Sequence, residues 1–144
     1  MLVRTILRGK ASNEVATISP QASVAEAAAM LAEKRIGALV VSEDGGTPQG
    51  ILSERDIVRE VHRSGSACID RTVGDLMTAK VETCTPEDRA DDVLGRMTAG
   101  RFRHMPVMEG GRMVGIISIG DVVKARLDEL AHENEALAEM ISGR

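Results

Sequence analysis

The sequence predicts a mixed α/β (α+β) fold made of two tandem β-α-β-β-α repeats packed about a pseudo-twofold axis. Three observations carry this expectation. The chain repeats itself: with an offset of 66, Val15, Thr17, Pro20, Arg35, Val41 and Glu43 fall on Val81, Thr83, Pro86, Arg101, Val107 and Glu109. With an offset of 65, GILSERDIVR from Gly50 falls on GIISIGDVVK from Gly115. Strand-like and helix-like patterns follow one another in the same order in both copies. Finally, 144 residues divide into two units that are each too small to bury a sufficient core alone.

Each element has a local reason. Residues 15–18 and 81–84 read as short strands that end at Pro20 and Pro86. A helix then starts at Ser23, where Ser23-x-x-Glu26 forms a capping box. Its apolar positions Val24, Ala27, Ala28 and Leu31 lie on one face, as do Ala90, Val93, Leu94 and Met97 in the second copy. Strands follow at 38–41 and 104–108, then Gly45-Gly46 and Gly110-Gly111 turns, then strands at 49–52 and 113–117. A last helix begins after Ser53 or Ser118. Val3, Ile6 and Leu7 match Val73, Leu76 and Met77, a short helix leading into each half. Residues 64–70, with Gly65 and two serines, read as the linker. The expected division is 1–66 for the first half with its lead-in helix, 67–126 for the second, and 127–144 for a C-terminal helical extension.

Composition narrows the function. Lys and Arg number 18 against 22 Asp and Glu, a net charge of −4, and Phe102 is the one aromatic residue. A nucleic-acid platform needs a basic face and stacking aromatics, so no nucleic-acid partner is expected. No apolar run reaches the roughly 20 residues that cross a bilayer, and Arg4 interrupts the apolar start, so no membrane association and a cytoplasmic location are expected. Cys68 and Cys84 are isolated and read as buried thiols. His62, His104 and His132 lack metal-ligand spacing, and no nucleophile elbow, P-loop or GxGxxG is present, so neither a metal site nor catalysis is expected.

These features together resemble a stand-alone pair of CBS domains, modules named after cystathionine β-synthase. The resemblance rests on the openings TISP and TCTP, on VGDLMT, on RFRHMPV, and on the closings GILSERD and GIISIGD, and it covers about residues 1–127. It implies a non-catalytic regulatory or sensor module with no required cofactor. The implied ligands are adenine nucleotides (AMP, ADP or ATP, with NAD(H) or S-adenosylmethionine as alternatives), held in clefts between the paired domains. It also implies a homodimer and an unidentified regulated protein. The competing expectation is a structural interaction module with vestigial clefts.

The closings make physically sensible ligand sites. Ser53 and Ser118 sit where a strand gives way to a helix N-terminus, whose free N–H groups suit phosphate or ribose oxygens. Asp56 and Asp121, one turn in, can accept hydrogen bonds from both ribose hydroxyls. The same Ser-x-x-Asp spacing is also a capping box, and the two roles are compatible. By the resemblance, basic residues of RFRHMPV, notably Arg103 and His104, reach phosphates. The first repeat has Gly37 and Ala38 in their places, with Arg55 as a possible substitute, so the clefts are expected to be unequal. Arg103 and His104 are expected to serve the Asp121 cleft. For adenine, Ile18, Ile36, Gly37 and Ala38 are expected to line one cleft, and Cys84, Phe102 and Met105 the other. Along the C-terminal helix, expected over 121–140, Val123, Leu127, Leu130, Asn134, Leu137 and Ile141 alternate at spacings of four and three. That pattern fits a parallel two-stranded seam whose Asn fixes the register.

Overall fold

The computed structural model describes residues 1–143. Arg144, the last residue of the expected extension, lies outside the described residues. The elements in order are α1 (Val3–Gly9), β1 (Thr17–Ile18), α2 (Val24–Lys34), β2 (Ala38–Val41), β3 (Gly50–Ser53) and α3 (Glu54–Ser64). A 3-10 turn (Gly65–Asp70) leads to α4 (Val73–Leu76), α5 (Ala90–Gly100), β4 (His104–Glu109), β5 (Arg112–Ser118) and α6 (Ile119–Ile141).

The expected capping box of α2 is present: Ser23 accepts from the Glu26 N–H, and Glu26 accepts from the Ser23 N–H. The helix buries Val24, Ala27 and Leu31, and α5 buries Ala90, Val93 and Met97. Both helices end on an arginine in the left-handed conformation, Arg35 at φ 54° and Arg101 at φ 58°. Glycine usually fills that position because a Cβ is strained there.

In the first half, β1 pairs parallel to β2, and β2 pairs antiparallel to β3. In the second half β4 and β5 form an antiparallel pair. The strand expected at 81–84 is reduced to one parallel bridge, Cys84 to Val107. The reason is Pro106. In the first half the Val40 N–H donates to the Ala16 carbonyl, and Pro106, which takes the place of Val40, has no N–H to donate. The expected linker at 64–70 is also structured: its 3-10 turn packs on α2 and α3 and fully buries Cys68.

Each half has its own aliphatic core, and each lead-in helix completes the core of the other half. Val3, Ile6 and Leu7 of α1 pack with Val93, Met97, Met105 and Ile117 of the second half. Val73 of α4 packs with Leu31, Leu39, Val41 and Leu52 of the first. The backbone contacts match pairwise. Val3, Arg4 and Ala90 donate to Asp88, Pro86 and Met1, as Val73, Gly74 and Val24 donate to Ala22, Pro20 and Arg71, at 2.8–2.9 Å. The exchange ties the halves about the pseudo-twofold axis.

Helix α6 is the long C-terminal helix that the sequence predicts. Along it, Val123, Leu127, Leu130, Leu137 and Ile141 are exposed, and residues 131–143 touch solvent throughout.

Crossed docking makes a specific prediction. Ile6→Ala should cost about 2–5 kcal/mol, the range for truncating a buried aliphatic side chain. Hydrogen exchange should show the loosening first in β4 and β5, not in the neighbouring β1–β3 sheet. Loosening confined to β1–β3 would contradict the exchange.

Candidate functional site

Two clefts form where one half's closing helix meets the other half's lead-in segment. The first, about 580 Å³, has Ser53, Glu54, Arg55, Asp56 and Arg59 from the start of α3 on one wall. The opposite wall comes from the second half: Thr78 and Lys80 after α4, and Arg101, Phe102, Arg103 and His104 at the α5–β4 corner. The second, about 420 Å³, pairs Ser118 and Asp121 at the start of α6 with Lys10, Val15, Lys34, Ile36, Gly37 and Ala38.

Both capping boxes form. Asp56 Oδ2 accepts from the Ser53 N–H at 2.9 Å and from the Ser53 hydroxyl at 3.0 Å, and the Asp56 N–H donates back to Ser53 Oγ at 3.3 Å. Asp121 Oδ2 accepts from the Ser118 N–H at 2.9 Å, and the Asp121 N–H donates to Ser118 Oγ at 3.0 Å. Each acid is thereby fixed at a helix N-terminus, where the free N–H groups and the partial positive charge favour an anion.

The clefts differ in charge. The first carries Arg55, Arg59, Lys80, Arg101 and Arg103 against Glu54, Asp56 and Glu82, five cations against three carboxylates. The second carries Lys10 and Lys34 against Glu14 and Asp121. An inequality between clefts was expected, but its grouping is different. Arg103 shares a cleft with Asp56 and Arg55, not with Asp121. The crossed lead-ins cause this, because each closing helix faces the α–β corner of the opposite half. His104 lines both clefts and Gly37 does too. A Cβ on Gly37 would stand 3.3 Å from Glu54 Oε1 and 3.7 Å from His104 Cε1, so the wall between the clefts is one glycine thick.

Of the apolar residues expected around adenine, Ile36, Gly37 and Ala38 line the second cleft and Phe102 the first. Ile18, Cys84 and Met105 are buried in the two cores and belong to neither lining, because their strand positions point at the helices instead. Burial pushes the Cys84 thiol up to about 11, so it is no ready nucleophile. Lys10, Arg59 and Lys80 were not anticipated. Lys80 stands in VGDLMTAK beside a recognised motif, whereas Lys10 meets Asp121 across 111 positions and leaves no local signal.

Two titratable groups in the cleft linings are shifted. Burial raises Asp121, but the Ser118 N–H and the Lys10 ammonium outweigh it and hold the carboxyl below its ordinary value. His104 is held below the ordinary 6.5 chiefly by burial, helped by Arg103 and Lys10 and opposed by Asp121 and Glu54.

A profile of the CBS domain matches residues 3–63 and 73–128. The CBS-domain-containing protein ATU1752 from Agrobacterium tumefaciens superposes with a TM-score of 0.84 at 44% identity, covering 88% of this chain and 99% of that one. The chain belongs to the CBS domain family, as a tandem pair. The mitochondrial CBS domain-containing protein CBSX3 of Arabidopsis thaliana is 37% identical over 125 residues, 84% of this chain. The chain spans 61% of the length of that relative. The CBS domain protein PAE2072 from Pyrobaculum aerophilum, solved as a complex with AMP, superposes with a TM-score of 0.77 at 26% identity, covering 92% of this chain and 99% of that one. Among the described residues no helix is long and apolar enough to cross a membrane.

The depressed His104 sets a pH dependence. Its folded-state value lies below its unfolded one, so its contribution is fully present above about pH 6.5 and is lost as pH falls through the folded value. Chemical denaturation should therefore show stability declining as pH drops below that point, with a flatter profile in His104→Asn. Superimposable profiles would remove His104 as the cause.

Proposed function

We propose that this chain is a non-catalytic adenine-nucleotide sensor that takes AMP, ADP or ATP in the cleft at Ser53 and Asp56. The observation that carries this reading is the meeting, in one cavity, of a helix N-terminus and its fixed carboxylate with Arg55, Arg101 and Arg103. The Asp56 carboxylate suits the ribose hydroxyls. The guanidinium groups suit the phosphates, which they bind with strong, charge-assisted hydrogen bonds. Ile51, Val81 and Phe102 supply apolar surface for the purine. The AMP-bound relative supports an adenosine ligand of this class. The near-balanced charge of the second cleft suits an adenosyl ligand without phosphate, so S-adenosylmethionine is the competing ligand there, whereas NAD(H), with its pyrophosphate, competes for the first cleft.

Because each cleft takes one wall from each half, ligand favours one relative packing of the halves, and a regulated partner reads that packing. A second copy of the chain extends the device. Leu127, Asn134 and Ile141 alternate with Val123, Leu130 and Leu137 along α6, and a helical end exposed on all sides is marginal in water without a partner.

Nucleotide at 100 times its dissociation constant should stabilise the protein by about 2.7 kcal/mol, read as a rise in melting temperature. In Asp56→Asn that rise should collapse while the free protein loses only a fraction of a kcal/mol, about what a weakened cap costs. Arg103→Ala should weaken binding about ten- to a hundredfold. An undiminished rise in both variants would favour the interaction module with vestigial clefts.

Sedimentation should give a dimer at micromolar concentration and a monomer for Leu130→Asp. A monomeric parent chain would exclude the α6 seam.

A further inference from the structure

The two clefts differ in a way that charge alone does not describe, and the difference lies at Lys10. In the first half, the segment after α4 pairs with β3 through its backbone: Thr78 and Ile51 exchange N–H to carbonyl bonds at 2.9 and 3.0 Å. In the second half, Ile116 occupies the place of Ile51. There the Lys10 ammonium donates to the Ile116 carbonyl at 2.9 Å. The same ammonium reaches Asp121 Oδ2 at 3.0 Å. Both side chains of this pair are only about a quarter exposed, 25% and 26%.

Among the described residues Asp56 has no such partner: its ion pair there is with Arg59, 3.9 Å from Oδ1, and the Arg59 side chain is largely exposed. The Ser53 hydroxyl donates to Asp56 Oδ2, whereas on Asp121 the lysine holds the corresponding place. Among the described residues the first carboxylate, its side chain 14% exposed, therefore has no cation hydrogen-bonded to it. The second is already neutralised by an ammonium that also stands in the lining of its cleft.

We propose that Lys10 decides which cleft takes ligand: it occupies the Asp121 carboxylate, so that the chain fills the Asp56 cleft first and binds one nucleotide where the fold offers two places. This rests on the nucleotide reading given above. A ribose taking Asp121 Oδ2 must displace an ion-paired hydrogen bond from Lys10 that is partly shielded from water. Its competitor at Asp56 Oδ2 displaces at most the neutral hydroxyl of Ser53. Lys10 is positioned by the crossed docking of α1, since it is the residue at which α1 ends and its N–H still bonds the Leu7 carbonyl. The lock is thus held by the same contact that joins the halves.

Equilibrium dialysis of AMP against the full chain tests this. The parent should bind one AMP per chain, lost in Asp56→Asn. Lys10→Met should bind two, the second lost when Asp121→Asn is added, with the second site tightened about tenfold or more, the low end for a charge-assisted bond. Two equal sites in the parent overturn the proposal. So does a Lys10→Met chain that still binds one, or that binds more weakly, since Lys10 would then be a ligand contact. Titration of the Asp121 carboxyl by carbon-13 NMR separates this inference from the nucleotide reading. The carboxyl should move upward in Lys10→Met, and an unmoved carboxyl overturns the lock even if AMP binds. A moved carboxyl with no AMP bound by any variant upholds the pairing and overturns the nucleotide reading instead.

Discussion

The structure depends on three pairs of backbone hydrogen bonds that tie each lead-in helix to the opposite half. Without them, each half would be a small sheet with one helical cover and an open core, well below the size at which burial offsets chain entropy. Ala90 and Val24 donate to Met1 and Arg71 just before the lead-in helices, and the donors Val3 and Arg4 and their counterparts Val73 and Gly74 meet carbonyls that sit at or just after the two TxSP/TxTP openings. Proline has a purpose there. It ends the strand, leaves its carbonyl free, and lets the carbonyl of Pro20 approach Gly74 so closely that a Cβ would stand 3.1 Å away. The glycine eases that approach, and Arg4 makes the equivalent contact with Pro86 in the other copy at the same 2.9 Å.

The same crossing builds the clefts. Each receives a capped helix N-terminus from one half and an α–β corner from the other, so neither half owns a complete binding wall. The two arginines that end α2 and α5 in the left-handed conformation belong to those corners. Holding a long side chain at positive φ costs backbone energy that glycine would avoid, and Arg101 lines the first cleft at that cost. Local strain is thus placed beside the proposed phosphate position, and the two cores absorb it.

Much of this was legible in the residues. Helix periodicity, the Ser23 box, the Gly turns and the paired closings produce α2, α5, β2–β5 and both Ser-x-x-Asp boxes where the pattern puts them, because all of these are set by contacts within a few residues. The departures come from long-range or single-atom causes. The 81–84 strand shrinks because one partner residue, Pro106, lacks an N–H. The 64–70 segment is ordered because it packs on α2 as well as on the adjoining α3 and buries Cys68. The grouping of Arg103 with Asp56, and of Lys10 with Asp121, follows from which half faces which. That is a property of topology, and no spacing along the chain records it. Ile18, Cys84 and Met105 were expected at the clefts and lie in the two cores, because alternate residues of a strand face opposite ways.

The exchange of lead-in helices also sets an order of events during synthesis. Helix α1 is made before its docking carbonyls, Pro86 and Asp88, which follow more than 80 positions later. Until then Val3, Ile6 and Leu7 have no core to enter, while the first half waits for α4. Helix α1 therefore waits as an exposed apolar segment while those positions are made. Its attachment closes a loop of more than 80 residues, an entropic cost met only once the second half is present. Until then α1 is open to chaperones, proteases or a neighbouring chain's vacant core, and an α1 that docks on a neighbour would join two polypeptides by domain swapping.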